Sequence, residues 1–368
     1  MPKISVIIPC YNVAPYIGTC LDSVLNQTLN DIEIICVNDK SPDNTLQVLT
    51  DYANRDNRIK VINQKSNMGV SVARNTAMQV ATGDFIAFMD GDDLLPDDHV
   101  LADLYRGATE NQVKICGGSI IMWNPNTDTE KSNGTALTRF SADGIVRYAD
   151  WANDYGFTRF IYDRKWLMEN KIDFPLYIRQ EDPVFFVRAM CLAGEFYALK
   201  RPTYKYRVSY KSVNWTPQSI KDVFCGLRDC LEIARENKMQ ELFVNIAKHT
   251  TRFIAPLRSV GNKAPIAEVC NVMEMITEYA SNDFVPDKFF LDTVKRHRYR
   301  LYDIYAHEKI ASKRIYLFDL IPICRIKTTR LFTYVKLLDL VPLLRIRHDS
   351  SATRYYLFNL IPLLKIKG

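Results

Sequence analysis

The sequence gathers its sharpest acidic chemistry in one stretch, Asp90-Gly91-Asp92-Asp93, directly after the apolar run Phe85–Met89. Leaving a strand, residues two apart face the same side, so Asp90 and Asp92 present two carboxylates together, with little bulk between them at Gly91. That pair is costly unless a cation sits beside it, and hard oxygen donors suit Mg2+ or Mn2+. The plainer reading is a polar loop, with Asp97 or Asp98 capping the helix that follows Pro96. A second acidic pair, Glu181-Asp182, stands before Pro183 and the helical run Val184–Leu192. Local rules make Asp182 an N-cap and Pro183 the first helical residue. A carboxylate pinned at a helix start has the fixed position that a general base needs, and Glu181 is its rival. Polar groups also cluster at Pro9-Cys10-Tyr11-Asn12, at Asn38-Asp39-Lys40-Ser41 and at Arg74. Each has a bland alternative: Asp39, Ser41 and Asp43 can cap a helix, Tyr11 can be a half-buried core aromatic, and Arg74 can be a surface cation.

Other chemistries lack their spacings. No GxGxxG follows the first strand and no Gly-x4-Gly-Lys-Ser/Thr occurs, which disfavours ordinary dinucleotide binding and P-loop hydrolysis. The nine cysteines form no CxxC and fall mostly in apolar runs, so they read as reduced core thiols of a cytosolic compartment. The five histidines form no ligand motif, so no structural zinc site is expected.

The elements that must position these groups alternate strictly. Ile4–Pro9, Ile32–Val37, Ile59–Ile62 and Phe85–Met89 read as strands; Tyr16–Leu25, Thr45–Tyr52 and Val70–Val80 carry helical apolar stripes. Alternation implies parallel strands joined by right-handed crossovers, with helices on both faces and ligands outside the carboxyl ends of the strands. The polar clusters at 9–12, 38–41 and 90–93 stand at those ends.

These residues resemble family 2 glycosyltransferases, which have the GT-A fold. The matching pieces are SVIIPCYN (5–12), LDSVLNQT (21–28), IEIICVNDKSPDNT (32–45), NMGVSVARNTAMQVATGDFIAFMDGDD (67–93) and QEDPVFF (180–186). The likeness is strong over 3–100, looser over 101–215 and absent beyond. It implies an α/β, Rossmann-like, mostly parallel central sheet with flanking helices; the residues beyond 215 read, by themselves, as a helical C-terminal region with short amphipathic repeats. It implies that Pro9, Tyr11 and Asn12 line a nucleotide pocket, Asp39 reads the uracil ring, and Arg74 approaches the diphosphate. Asp90 then lies near the ribose or metal, Asp92 ligates a Mn2+ or Mg2+ ion on the diphosphate of a UDP-sugar, and Asp182 is the general base of an inverting transfer. Asn38 and Lys40 depart from the commoner Asp and Gly, and the QxxRW signature of processive synthases is missing.

Residues 101–215 mix strand-like stretches (115–123, 157–162) with short helices and suit an acceptor-binding half, where Trp151, Tyr155, Phe157 and Trp215 can either stack on sugars or fill a core. Residues 219–310 read as helices. Then Tyr316–Lys327, Lys336–Arg347 and Tyr356–Lys367 repeat at a spacing of 20, each with a central proline and a cation-x-cation end. Of the 48 Lys/Arg and 42 Asp/Glu in the 368 residues, 16 and 5 lie from Lys295 onward, so a mildly acidic body carries a strongly basic tail. Basic charge confined to one end argues against a nucleic-acid binder. Apolar segments fringed by cations suit an anionic membrane surface, and units packed on each other are the alternative. No stretch approaches the ~20 apolar residues of a spanning helix and no leader pattern opens the chain. The expected organisation is a nucleotide-sugar half (1–100), an acceptor half (101–218), a helical domain (219–312) and three basic repeats (313–368). The expected role is transfer to a glycan or lipid-linked acceptor for a bacterial surface polysaccharide, in the cytoplasm at the inner face of the membrane. A non-catalytic sugar-binding scaffold and a sugar nucleotidyltransferase are the competing readings; the latter lacks a glycine-rich basic loop.

Overall fold

The computed structural model describes residues 1–131, 139–208, 214–260 and 264–281, and the strand residues 311–317, 321–328, 332–337, 341–348, 352–357 and 361–367. They divide between two compact units, Met1–Phe290 and Leu291–Gly368.

The first unit opens with β1 (Ile4–Cys10), α1 (Ala14–Leu25), β2 (Ile32–Asn38), α2 (Thr45–Arg55), β3 (Ile59–Asn63), α3 (Val70–Val80) and β4 (Phe85–Phe88). These are the strands and helices expected from the alternation. β1, β2 and β4 are buried on both faces, as near-continuous Ile/Val/Phe runs require. On α1 the buried positions Ile17, Cys20, Leu21 and Val24 recur at helical spacing and seat it on the sheet. α4 (Val100–Glu110), β5 (Ile115–Asn124), β6 (Thr129–Lys131), β7 (Gly144–Arg147) and α5 (Tyr148–Trp151) follow. Next come β8 (Phe160–Asp163), α6 (Arg164–Glu169), α7 (Glu181–Ala193), β9 (Glu195–Arg207), α8 (Pro217–Glu236), α9 (Gln240–His249), α10 (Ile254–Ser259) and α11 (Ile266–Ser281).

The sheet runs β3-β2-β1-β4-β8-β5-β9-β7, with β6 beside β5. Its first half is wholly parallel (β3, β2, β1, β4); β8 then pairs antiparallel to both β4 and β5, and parallel pairing returns at β5 and β9. Phe157–Tyr162 is not one strand: Phe157–Arg159 form a 3-10 turn and the strand starts at Phe160. Glu33 ties the amino ends of these strands together. Its carboxylate accepts from Ser5 Oγ at 2.6 Å, Thr82 N at 2.6 Å and Lys60 Nζ at 2.7 Å.

In the second unit the amphipathic repeats, to which the sequence assigned no secondary structure, are strands. β10 (Ala311–Leu317), β11 (Ile321–Thr328), β12 (Phe332–Leu337), β13 (Val341–His348), β14 (Ala352–Leu357) and β15 (Ile361–Lys367) form a six-stranded antiparallel meander. Each 20-residue repeat is a hairpin, and consecutive hairpins pair through β11–β12 and β13–β14. The recurring proline has a local reason. Pro322, Pro342 and Pro362 each sit beside a register shift, where a missing N–H costs no ladder bond.

Candidate functional site

The carboxyl ends of β1, β2 and β4 open side by side. The chain leaves β1 through half-exposed Pro9, exposed Tyr11 and Asn12, whose φ of +56° turns the backbone sharply. The turn is held from the β2 side. Asn12 N donates to Ser41 Oγ at 3.3 Å, Val13 N to Thr45 Oγ1 at 3.1 Å and Ala14 N to Asp43 Oδ2 at 3.0 Å. Asp43 therefore does the capping, its other oxygen accepting from Thr45 N.

Asp39 is a different kind of residue. It is 3% exposed, and its two oxygens accept from Met68 N at 2.7 Å and Gly69 N at 2.8 Å, the amides entering α3. Gly69 has φ +91°, a backbone that side-chain-bearing residues rarely adopt. Each carboxylate oxygen keeps a further lone pair, so Asp39 remains an acceptor fixed in place.

Arg74 is not a surface cation. It is 4% exposed on α3, and its guanidinium lies 4.8 Å from the Phe157 ring and 5.1 Å from Phe174. Nη2 donates to Asp90 Oδ1 at 2.9 Å, and Nη1 to Glu181 Oε1 at 3.0 Å. One buried cation thus joins the turn after β4 to the first turn of α7. Burial works against the Arg74 charge, but Asp90, Glu181 and Asp182 outweigh it and raise its pKa further.

The 90–93 turn is braced by β9. Tyr204 Oη donates to Asp93 Oδ2 at 2.7 Å and accepts from Asp90 N at 3.1 Å. Arg207 N donates to Asp93 Oδ1 at 2.7 Å, and Arg207 Nε to the Asp92 carbonyl at 2.6 Å. Burial, then the neighbouring Asp90 charge, pushes the Asp93 carboxyl up to about 8. Asp93 is the inward member of the turn, while Asp90 and Asp92 are half-exposed at the mouth. A β-carbon on Gly91 would meet Val13 Cγ2 at 3.2 Å and Ile17 Cδ1 at 3.3 Å, so a side chain there would crowd α1.

Asp182 is not the N-cap. The left-handed residue Gln180 (φ +69°) caps α7, and Glu181, Asp182 and Pro183 lie inside its first turn. Carboxylates are at home there because the helix dipole is positive at that end. Glu181 is buried and spent on Arg74, whereas Asp182 is half-exposed. Burial first, then Glu181, pushes the Asp182 carboxyl up to about 8, against the pull of Arg74. Tyr206, 42% exposed, records the convergence: after burial, its phenol is raised by Asp93, Asp90, Asp92 and Asp182 in turn.

The segment entering α7 is clamped on both sides. Ser71 Oγ of α3 donates to the Tyr177 carbonyl at 3.1 Å. From α8, Asp222 Oδ2 accepts from Ile178 N at 2.9 Å and Asp229 Oδ2 accepts from Tyr177 Oη at 2.7 Å. A β-carbon on Gly226 would stand 2.8 Å from the Gln180 carbonyl oxygen. Positions 222, 226 and 229 share one helical face. Beside them Gln180 Nε2 meets Tyr155 Oη at 3.3 Å, and His249 Nδ1 lies 2.8 Å from buried Asp154. Trp151 and Phe157 are core aromatics, packed on Phe186 and Phe196 and on Phe88 and Phe174 respectively.

Among the described residues no group of three or more His, Cys, Asp or Glu side chains is arranged to hold a metal ion. A donor set of one or two carboxylates still suits Mg2+ or Mn2+, which take the rest of their shell from water and substrate phosphate. Half-exposed Asp92 and Asp90 are of that type; Asp93, buried and tied to Tyr204 and Arg207, is not. A groove of about 660 Å3 lies elsewhere, lined by Asp103, Arg139 and Arg201 among others, and contains none of these residues. Asp93, Tyr204, Arg207 and the α8 clamp were not legible as site components in the sequence. Asp93 stood in the motif, but its partners lie more than 100 residues away. These side chains are thus contributed by β1, β2, β4, α3, α7 and β9 and the turns that follow the strands.

Comparison with known proteins follows the same segments. Residues 5–171 match the family model described as Glycosyl transferase family 2. The uncharacterized glycosyltransferase EpsJ of Bacillus subtilis is 49% identical over 117 residues, 32% of this chain and 33% of that one. The poly(ribitol-phosphate) beta-glucosyltransferase of Bacillus spizizenii is 31% identical over 261 residues, 66% of this chain and 40% of that one. This chain therefore spans well under two thirds of the length of these two relatives. The S. aureus TarS 1-349 structure in complex with UDP-GlcNAc shares the fold, with a TM-score of 0.57, 21% identity and coverage of 81% of this chain and 92% of that one.

Proposed function

We propose, from the match of residues 5–171 to the glycosyl transferase family 2 model, that the chain transfers a sugar from a UDP-sugar to a hydroxyl of a glycan or lipid-linked acceptor, with inversion. The observation that carries this reading is the Arg74 bridge, which holds the Asp90 turn and the Asp182 helix in one cleft. We assign the donor half to 1–100, the acceptor half to 101–218, a helical domain to 219–312 and the basic repeats to 313–368.

In this reading Pro9, Tyr11 and Asn12 line the nucleotide pocket and Asp39 accepts from the uracil imide. Arg74 contributes positive potential behind the diphosphate while it fixes Asp90. Asp92, with Asp90 beside it, would hold a Mg2+ or Mn2+ ion, which would supply Lewis-acid neutralisation of the leaving diphosphate. Asp182 accepts the proton of the acceptor hydroxyl as its oxygen bonds to the anomeric carbon. The bond from that carbon to the diphosphate oxygen breaks in the same displacement, UDP departs, and the anomeric centre inverts. Asp182 suits the role because it is half-exposed and held at a helix start, while Glu181 is consumed by Arg74.

A bacterial surface polysaccharide is the acceptor in this reading; the name of the Bacillus spizizenii relative, a glucosyltransferase of poly(ribitol-phosphate), supports a polymer hydroxyl. Among the described residues no helix is long and apolar enough to cross a membrane; we place the chain at the inner membrane surface through its basic repeats. The test is UDP release from a panel of UDP-sugars with Mn2+. Asp182→Asn should abolish transfer to acceptor and spare donor binding; undiminished transfer would remove Asp182 from the mechanism. Asp92→Ala should weaken Mn2+-dependent donor binding, and unchanged Mn2+ dependence would remove Asp92 from the metal site.

A further inference from the structure

Strand pairing in the carboxyl-terminal unit sorts its residues onto two faces. Residues directly opposite in an antiparallel ladder share a face, and so do residues two apart along a strand. Arg314 stands opposite Arg325, which stands opposite Lys336. Arg347 stands opposite Arg354, which stands opposite Lys365. Between these rows, Lys327 is opposite Tyr334, which is opposite Arg345, which is opposite Tyr356. The two-residue alternation puts all these positions, and Lys367, on one face. The other face holds Lys313, opposite Ile326, and rows such as Cys324–Leu337, Ile326–Val335, Leu344–Leu357 and Tyr355–Leu364. No strand residue of either face is Asp or Glu.

Like charges directly opposite one another destabilise a sheet. Here two rows of three cations run across neighbouring strands with no acid interleaved. The second strand of every repeat renews the pattern: Arg325 and Lys327, Arg345 and Arg347, Lys365 and Lys367. A local rule broken at four opposed pairs, with no acid between them, is the mark of a surface shaped for something outside the sheet.

We propose that this cationic face docks on a bilayer surface rich in anionic phospholipid headgroups. The inference rests on the membrane placement proposed above and deepens it; it is independent of the catalytic assignments. Charge complementarity selects an anionic partner. The array is two-dimensional, with six strands spanning roughly 24 Å at about 4.8 Å spacing, and it matches a plane of headgroups better than a single linear polyanion. Tyr334 and Tyr356 stand in the rows between the cations, and tyrosine suits the headgroup level. Docking is thus electrostatic through one face, not insertion of the apolar residues of the other.

The test uses the full chain and vesicles of phosphatidylglycerol and phosphatidylcholine. The unmodified chain should pellet with anionic vesicles, ignore neutral ones and be released by roughly 0.5 M salt. The triple variant R325Q/R345Q/K365Q should bind anionic vesicles more than about tenfold more weakly, since each cation near such a surface counts separately. The triple variant R106Q/R147Q/K165Q, which removes the same charge from exposed positions of the first unit, should bind like the unmodified chain. Equal losses in both variants, binding that survives high salt, or a preference for soluble polyphosphate over vesicles would each overturn the proposal. Binding unaffected by the face substitutions would remove the face but keep the membrane placement. No binding to any vesicle would remove both.

Discussion

Arg74 is the residue on which most of the cleft converges. Its charge is buried against two aromatic rings and answered by Asp90 and Glu181. Arg74→Met should leave Glu181 buried without its cation and cost about 3–5 kcal/mol, read by urea unfolding; a loss below about 1 kcal/mol would show that the bridge contributes little. In the proposed mechanism Asp182 is the base and governs the pH dependence. Its unliganded carboxyl lies at about 8, so the base is protonated, and idle, below that value. kcat/KM should rise with pH through about 8 and level off, because that ratio reports the free enzyme; a profile flat from pH 6 to 9 would contradict the assignment. The sequence singled out Asp182, Arg74, Asp39 and the 90–92 pair by motif order. It did not distinguish Arg74 as a ligand-facing donor from Arg74 as an internal brace, because burial depends on Phe157 and Phe174, which the sheet brings in from afar.

At the scale of elements, α8 sets the entry to the base helix. Asp222, Gly226 and Asp229 touch residues 177–180 from one helical face. Gly226→Ala would force a carbon against the Gln180 carbonyl, an overpacking worth about 1–3 kcal/mol. Because Gln180 is left-handed and adjoins Glu181 and Asp182, the expected outcome is a lower kcat with donor affinity unchanged. A parallel loss of donor affinity, measured by calorimetry, would mean that the clamp acts on the whole fold instead. Glu33 is the corresponding brace at the opposite ends of the strands. Burial alone would raise its pKa, but bonds from Lys60, Ser5 and Thr82 bring it down to about 2. Its folded pKa is therefore below the unfolded one. The stability it contributes is present above about 4.5 and lost as pH falls toward 2, in sum roughly 3 kcal/mol. Glu33→Gln should unfold at lower urea at pH 7, with the gap closing near pH 2. The β/α alternation was legible because buried parallel strands are apolar throughout. The 3-10 turn at Phe157–Arg159 and the strands of the repeats were not, since short apolar runs carry no periodicity that separates the alternatives.

The whole molecule separates its charge between an acidic first unit, with the cleft, and a basic second unit. If the second unit brings the enzyme to lipid, salt should weaken transfer to a lipid-linked acceptor in vesicles while sparing transfer to a soluble one. Equal salt sensitivity for both would speak against division of labour. The repeat period and the charge asymmetry were visible in the sequence; the sorting of every strand Lys and Arg but Lys313 onto one face was not, because it depends on strand register and on the shifts at Pro322, Pro342 and Pro362. The most direct test of the central claim is acceptor-dependent UDP release from UDP-sugars, compared between the unmodified chain and Asp182→Asn. Release from at least one UDP-sugar should rise with pH through about 8 and fall at least about a hundredfold in the variant, with donor still bound. Release from no UDP-sugar, or release undiminished in Asp182→Asn, would contradict it.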